Sequence, residues 1–272
     1  LVDELFSVEL KLIYTVFEAC DVITRRTVVK NNCENPVTIQ KIMSMQLDLP
    51  EKDYSLETFD GTWTRERHRN KKQLVSGIYV NESTTGSSSN RHNPFIIVAK
   101  EDCTEKAGNC FGINLIYSGN HYEAVEVTPF DYIRIMSGIN PYRFSWELLQ
   151  GQTFYSPEAV LSFSAHGRQG LSKQLVDFVN KHIVTKQWQY KERPILINNW
   201  EATYFDFDTD KLIAIAKQAS ALGIEMLVMD DGWFGDKYPR LTDNSSLGDW
   251  VVDANKLPNG IGWLGQQAGA HG

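Results

Sequence analysis

Apolar and polar residues alternate along the first two thirds of the chain. In "VELKLIYTVFEA", Val8, Leu10, Leu12, Tyr14 and Val16 fall on one side of an extended segment, the period-two pattern of a half-buried strand. "RRTVVKNNCENPVTIQKIMSMQLDLP" predicts a strand, a polar Asn/Pro turn and a second strand. Shorter β-runs follow at "QLVSGIYV", "PFIIVAK", "FGINLIYSG", "AVEVTP", "DYIRIMSG" and "YRFSWELL", each bounded by Gly, Pro, Asn or Ser. Many short strands at close spacing predict an antiparallel β-sandwich.

The period changes near residue 170. In "GLSKQLVDFVNKHIV", Leu171, Leu175, Phe178, Val179 and Ile183 make a helical stripe, so a helix is expected to leave the β-domain. "RPILINN" then reads as a short buried strand, and Thr209 to Leu222 carries Leu212, Ile215, Ala216, Ala219 and Leu222 at helical spacing. Asp208 or Thr209 can cap the start of that helix, and Gly223 suits the position just past its end. "IEMLVM" is a second buried strand. Strand, helix, strand is a βαβ unit, so the sheet here is expected to be parallel. The expected organisation is multi-domain, β followed by α/β. A β-sandwich domain covers 1–165, a helical linker 166–192 and a parallel β/α domain 193–272.

Composition narrows the class. Hydrophobic residues make up 42% and charged residues 22% of the 272, ample for a globular core. The net charge is 27 − 34 = −7 with no basic block, which argues against nucleic acid and anionic membrane as partners. No run of about 18 apolar residues is present to form a transmembrane helix. Four cysteines do not make a disulfide framework, and Cys103 and Cys110 lack the second pair of ligands that a zinc site needs. Reduced, buried thiols are the simpler reading, and they favour a cytoplasmic protein. Leu1 opens the sequence without a methionine, and "GQQAGAHG" closes it without a helix stop or a strand. The sequence therefore reads as a segment of a longer protein.

Candidate chemistry gathers where the two parallel strands end. Residues just past the carboxyl end of such strands line binding sites. The first strand delivers Asn198, Asn199, Trp200 and Glu201; the second delivers Asp230, Asp231, Gly232, Trp233 and Phe234. Aromatic faces cover the C–H side of a pyranose, while carboxylates and amides bond its hydroxyls, so the set suits a sugar. An Asp-Gly turn explains the aspartates as well. A Mg²⁺ site would want a phosphate-binding loop beside them, and none accompanies the pair. Asn198 and Asn199 can bond substrate or finish the strand; Trp233 and Phe234 can wall a pocket or fill a core. Arg65, Glu66 and Arg67 read as surface or interface ion pairs, and His92 as part of a turn before Pro94.

Several longer motifs carry a resemblance. "RPILINNWEATYFDFD", "GIEMLVMDDGWFGDK" and "LGDWVVDANKLPNGIGWL" resemble glycoside hydrolase family 36, the microbial α-galactosidases, or melibiases. "FDGTWTRERH", "SSSNRHNPF", "LIYSGN" and "INPYRFSWEL" are similar to the N-terminal β-sandwich of that family. The resemblance implies a β-sandwich followed by the first βαβ unit of a TIM (β/α)8 barrel, and retaining hydrolysis of α-galactosides of the melibiose or raffinose type. It implies that Asp230 and Asp231 bind galactose hydroxyls and that Trp200 lines the galactose site. Trp63, otherwise a plausible core aromatic, matches a tryptophan that reaches a neighbouring subunit's active site in tetrameric members. No metal or organic cofactor is implied.

Adjacent residues of an extended segment point to opposite sides. Asp230 and Asp231 are therefore poorly placed to flank one anomeric carbon at the about 5–5.5 Å a retaining pair needs. In the family the nucleophile and the acid/base are aspartates on later barrel strands, expected beyond Gly272. A barrel takes about 250 residues, and about 80 follow residue 192. The chain is expected to be an inactive fragment of a homotetrameric parent enzyme. Galactosyl transfer, removal of N-acetylgalactosamine, and non-catalytic galactoside binding stay open as alternatives.

Overall fold

The alternating segments form fifteen strands in the first of two units, Leu1–Thr185 and Lys186–Gly272; the computed structural model describes residues 1–271. In chain order the strands are β1 (Val2–Asp3), β2 (Val8–Phe17), β3 (Val22–Asn31), β4 (Val37–Ile39) and β5 (Met43–Leu49). Next come β6 (Tyr54–Thr62), β7 (Arg65–Gln73), β8 (Gly77–Glu82), β9 (His92–Lys100) and β10 (Cys110–Ile116). The remainder are β11 (His121–Val127), β12 (Ile133–Ile139), β13 (Trp146–Leu148), β14 (Thr153–Tyr155) and β15 (Glu158–Ser164). The larger sheet runs β1-β2-β3-β15-β10-β9-β6-β7, with β14 also on β3, and a second sheet runs β5-β12-β11-β8. The pairings in both are antiparallel. Leu56, Ile96, Val98, Ile113 and Leu115 of the larger sheet share one core with Met45, Val125, Ile133 and Ile135 of the smaller.

Three departures from the alternation have physical causes. The apolar side of β2 is covered only at its start, where Val8 and Leu10 pack against the cluster of Val29, Ile39 and Phe154. Leu12, Tyr14 and Val16 are exposed. The second strand expected after the Asn/Pro turn is two strands in different sheets: β4 pairs with β13 and β5 with β12. The hairpin of β6 and β7 escapes the pattern because "RERHRNKKQ" is exposed throughout and has no apolar face. It closes the edge of the larger sheet, where charge discourages pairing with another chain.

A helix, α1 (Gly167–Phe178), packs on the larger sheet through Leu171 and Phe178. Its free N–H groups are satisfied by the loop before β10. Gly167, Arg168 and Gln169 donate to the carbonyls of Gly108, Thr104 and Glu105. Gly167 has φ +70, and a Cβ there would lie 2.5 Å from the Thr104 carbonyl oxygen. The helix widens at Val179–Ile183, where the Val184 N–H reaches back to the Val179 carbonyl. The widened turn takes Val179 and Ile183 out of the buried stripe, and both are exposed.

The second unit contains β16 (Leu196–Asn198), the one-turn α2 (Trp200–Thr203), α3 (Thr209–Ala221), β17 (Met226–Val228) and α4 (Gly260–Gly269). Asp208 caps α3 through a bond from the Lys211 N–H, and Gly223 takes φ +82 just past its end. Strands β16 and β17 pair in parallel. Helix α4, with four glycines among ten residues, carries no strong helical signal; it forms because Leu264 packs on Leu212, Leu257 and Phe207.

A buried ion pair ties α1 to β6. The fully buried Glu57 accepts from Arg168 Nε at 2.9 Å on both oxygens, and Arg168 Nη1 donates to the Cys103 carbonyl. Removing the cation strands a buried carboxylate beside only the more distant Arg69, 3.8 Å away. Arg168→Leu is expected to lose about 3–5 kcal/mol in urea denaturation. Glu57→Leu with Arg168→Leu should recover a large part of that. A single variant as stable as the wild type would show that the pair does not hold α1.

Candidate functional site

The register of the parallel pair decides what meets at its carboxyl end. Leu196 lies opposite Met226, Ile197 opposite Leu227 and Asn198 opposite Val228. The segments leaving these strands therefore gather at one rim. Asn199 pins them: it is 0% exposed and uses its backbone and both ends of its amide. Its N–H donates to the Val228 carbonyl, its Oδ1 accepts from the Asp230 N–H at 2.8 Å, and its Nδ2 donates to Thr203 Oγ1 at 2.8 Å. Asn198 makes the second bridge. Its Nδ2 donates to Asp230 Oδ2 at 2.6 Å, while its Oδ1 accepts from the Trp200 N–H at 2.8 Å.

The two aspartates have different partners. Asp230 Oδ1 accepts from the Asp231 N–H at 2.7 Å and Oδ2 from Asn198. Asp231 is held by Arg240 in a two-pronged ion pair, Nε to Oδ1 at 2.8 Å and Nη2 to Oδ2 at 2.7 Å. Its Oδ1 also accepts from the Gly232 N–H. A carboxylate offers about four acceptor positions, so roughly two remain on Asp230 and one on Asp231. The Arg240 hydrogen bonds hold the Asp231 carboxyl below the usual carboxylate range, against the opposing effect of burial. A carboxyl held ionised in this way is unsuited to act as a general acid near neutrality. It is suited to accept hydrogen bonds from hydroxyls.

Gly232 makes the sharp turn after the pair. It has φ +89, and a Cβ would lie 2.9 Å from Phe205. The buried Lys256 holds the turn from below, donating to the carbonyls of Gly232 at 2.8 Å and Phe205 at 2.7 Å. Burial pushes its ammonium below the usual lysine range, although Asp253, Asp206 and Asp231 pull the other way. Trp200 stands edge-on to Phe205, with ring centres 4.9 Å apart, and to Tyr204 at 5.4 Å. Phe234 is buried, and Trp233 packs against the same cluster as Leu212 and Leu257.

Of the four residues singled out from the sequence, Asp230, Asp231 and Trp200 lie at this rim, joined through Asn198. Trp63 belongs to the other unit. It sits at the tip of the β6–β7 hairpin between Thr62 and Arg65, 82% exposed, and is no core residue. Arg240 and Lys256 went unnoticed because they lie in loops without periodicity, nine and twenty-five residues past Asp231. Among the described residues no group of three or more His, Cys, Asp or Glu is placed to hold a metal ion. No helix there is long and apolar enough to cross a membrane.

Residues 1–149 match the profile of the Glycosyl hydrolase family 36 N-terminal domain, and residues 153–272 match that of Melibiase. The chain belongs to glycoside hydrolase family 36. Alpha-galactosidase AgaA of Geobacillus stearothermophilus, a family 36 enzyme, is 41% identical over 265 residues, covering 97% of this chain and 36% of that protein. The crystal structure of the α-galactosidase from Lactobacillus brevis matches with a TM-score of 0.92 and 43% identity, over 99% of this chain and 36% of that one. An AgaA variant in complex with raffinose matches with a TM-score of 0.92 and 40% identity, over 100% of this chain and 37% of that one. The chain thus spans little more than a third of the length of these family 36 relatives, which are named as α-galactosidases and hence as glycoside hydrolases.

The Asp231–Arg240 pair gives this family 36 chain a defined pH response. Folding lowers the Asp231 pKa, so its ionised form stabilises the fold above the ordinary value of 3.8. That stabilisation is lost as pH falls through the lower folded-state value. Asp231→Asn should therefore be less stable than the wild type near neutrality, with the difference in urea midpoint narrowing below pH 3.8. A difference that stays constant with pH would contradict the assignment.

Proposed function

We propose that the chain is part of a retaining α-galactosidase that removes terminal, non-reducing α-D-galactosyl residues from melibiose- or raffinose-type galactosides by double displacement. In this reading the two facing sheets of residues 1–165 are the family's β-sandwich, 166–192 is a helical linker, and 193–272 opens a (β/α)8 barrel. Ile195, Leu196 and Met226, exposed on the parallel pair, would be covered by the later strands and helices of that barrel. The parent enzyme is a cytoplasmic homotetramer that works without a metal or an organic cofactor.

The observation that carries the reading is the pair of aspartates at the end of β17, fixed to the Trp200 turn through Asn198. Asp230 offers two free acceptor positions and Asp231 one, all at a rim with an aromatic side chain beside it. The raffinose complex of the AgaA variant supports an oligosaccharide ending in galactose as the substrate. Asp230 and Asp231 hold the sugar hydroxyls, Trp200 covers the C–H face of the ring, and Trp63 of a neighbouring subunit closes the site. The nucleophile and the acid/base lie on strands outside this sequence. Recognition is the contribution of the residues present.

A charge-assisted hydrogen bond to substrate is worth about 1.5–3 kcal/mol. Asp230→Asn in the full-length enzyme is expected to lower kcat/KM for p-nitrophenyl α-galactoside at least about tenfold. Unchanged kinetics would refute the assignment. A wild-type protein that binds galactosides without hydrolysing them would replace the enzyme with a galactoside-binding protein.

A further inference from the structure

We propose that Arg240 is the positioning residue of this sugar site, fixing both the Asp231 carboxylate and the aromatic wall around Trp200; this rests on the reading of Asp231 as a sugar ligand. Arg240 is 4% exposed although it comes from an open loop between Gly235 and Asp249. A buried guanidinium is costly unless each prong is used, and here each one is. Nε and Nη2 grip the two oxygens of Asp231, and Nη1 donates to the Ser245 carbonyl at 2.8 Å. The loop is thereby tied down at a second point, and the fork has no freedom to swing.

The same cation reaches the aromatic residues. Its central carbon lies 5.8 Å from the Phe205 ring centre and 5.7 Å from that of Phe234. Contacts of this kind are attractive through the ring quadrupole. Phe205 in turn abuts the Trp200 indole. One side chain therefore sets the carboxylate plane on one side and the ring that supports Trp200 on the other. With the Gly232 N–H also on Oδ1, the acceptor position left on Asp231 is on Oδ2 and points in a fixed direction. Asp231 is thus built to take one hydroxyl, and Asp230 to take two.

Lysine cannot reproduce this. It is a single point charge without a planar fork, and it cannot hold both carboxylate oxygens and the Ser245 carbonyl at once. Glutamine keeps some hydrogen bonding but loses the charge that keeps Asp231 ionised at acid pH.

The test is steady-state kinetics of the full-length enzyme with p-nitrophenyl α-galactoside, comparing Arg240→Gln, Arg240→Lys, Asp231→Asn and the Arg240→Gln/Asp231→Asn double variant. Arg240→Gln should lower kcat/KM at least tenfold, largely through KM. Arg240→Lys should fall between it and the wild type. The acid limb of the kcat/KM profile should move to higher pH in Arg240→Gln, because Asp231 then protonates more easily. Because Arg240 works partly through Asp231 and partly through the Phe205–Trp200 wall, the double variant should be more impaired than Asp231→Asn alone but less than the product of the two single losses. Losses that multiply in full in the double variant, or an acid limb that stays in place, would overturn the proposal and leave Arg240 a structural residue. Full activity in Arg240→Gln with a defect in Asp231→Asn would overturn it while keeping Asp231 as a ligand. Full activity in both would remove the ligand assignment and the proposal with it. Thermal unfolding of each variant separates a loss of folded enzyme from a loss of affinity.

Discussion

The candidate site depends on one buried amide. Asn199 sits where β16 ends, out of reach of water, with hydrogen-bonding groups at every end. A buried polar group left unpaired costs about 1–3 kcal/mol, so the side chain settles only where all its partners are present. Its partners come from two segments, the Asp230 N–H just past β17 and the Thr203 hydroxyl of α2, and the Asn199 backbone N–H adds a bond to the Val228 carbonyl. Satisfying them places the end of β17 beside the Trp200 turn. The two short strands contribute only three paired positions, which would be weak support alone. The amide gives the rim the rigidity that the sheet does not.

Charge is arranged around that rim in a consistent way. Two buried cations stand on the inner side of the Asp-Asp-Gly turn, Arg240 on the Asp231 carboxylate and Lys256 on the backbone carbonyls. Both are held by fixed acceptors, Arg240 by a carboxylate that balances its charge and Lys256 by two carbonyls that replace part of its hydration. Negative charge faces outward and positive charge supports it from within. In the proposed reading such a rim accepts hydroxyl hydrogens, and the Arg240 hydrogen bonds keep Asp231 below the usual carboxylate range to do so. The first unit uses the same device for a different end, where Arg168 neutralises Glu57 beneath α1.

Much of this was legible in the residues, and the limits of legibility are physical. The βαβ unit was readable because α3 has an amphipathic stripe between an Asp208 cap and Gly223, and the strands on either side are apolar. The aspartates and Trp200 stood out because polar and aromatic residues follow those strands directly. Strand β7 was hidden, since an exposed edge strand of arginines and lysines has no hydrophobic period. Helix α4 was hidden by its glycines, its formation resting on Leu264 finding Leu212 across the unit. The outward face of β2 misled because alternation marks which residues share a side, not whether anything covers that side. Arg240 could not be read at all, because its pairing with Asp231 is set by the path of an irregular loop. Local pattern carries information about neighbours in sequence, while an ion pair across a loop is a fact of three dimensions.

The most direct measurement is a crystal structure of the full-length protein with galactose bound. The geometry of the rim predicts ring hydroxyls within hydrogen-bonding distance, about 2.6–3.2 Å, of both carboxylates, two on Asp230 and one on Asp231 Oδ2. It further predicts the Trp200 ring against the C–H face of the sugar and the Arg240 fork still closed on Asp231. Galactose bound elsewhere, or bound at this rim with Arg240 withdrawn and Asp231 turned away, would contradict it.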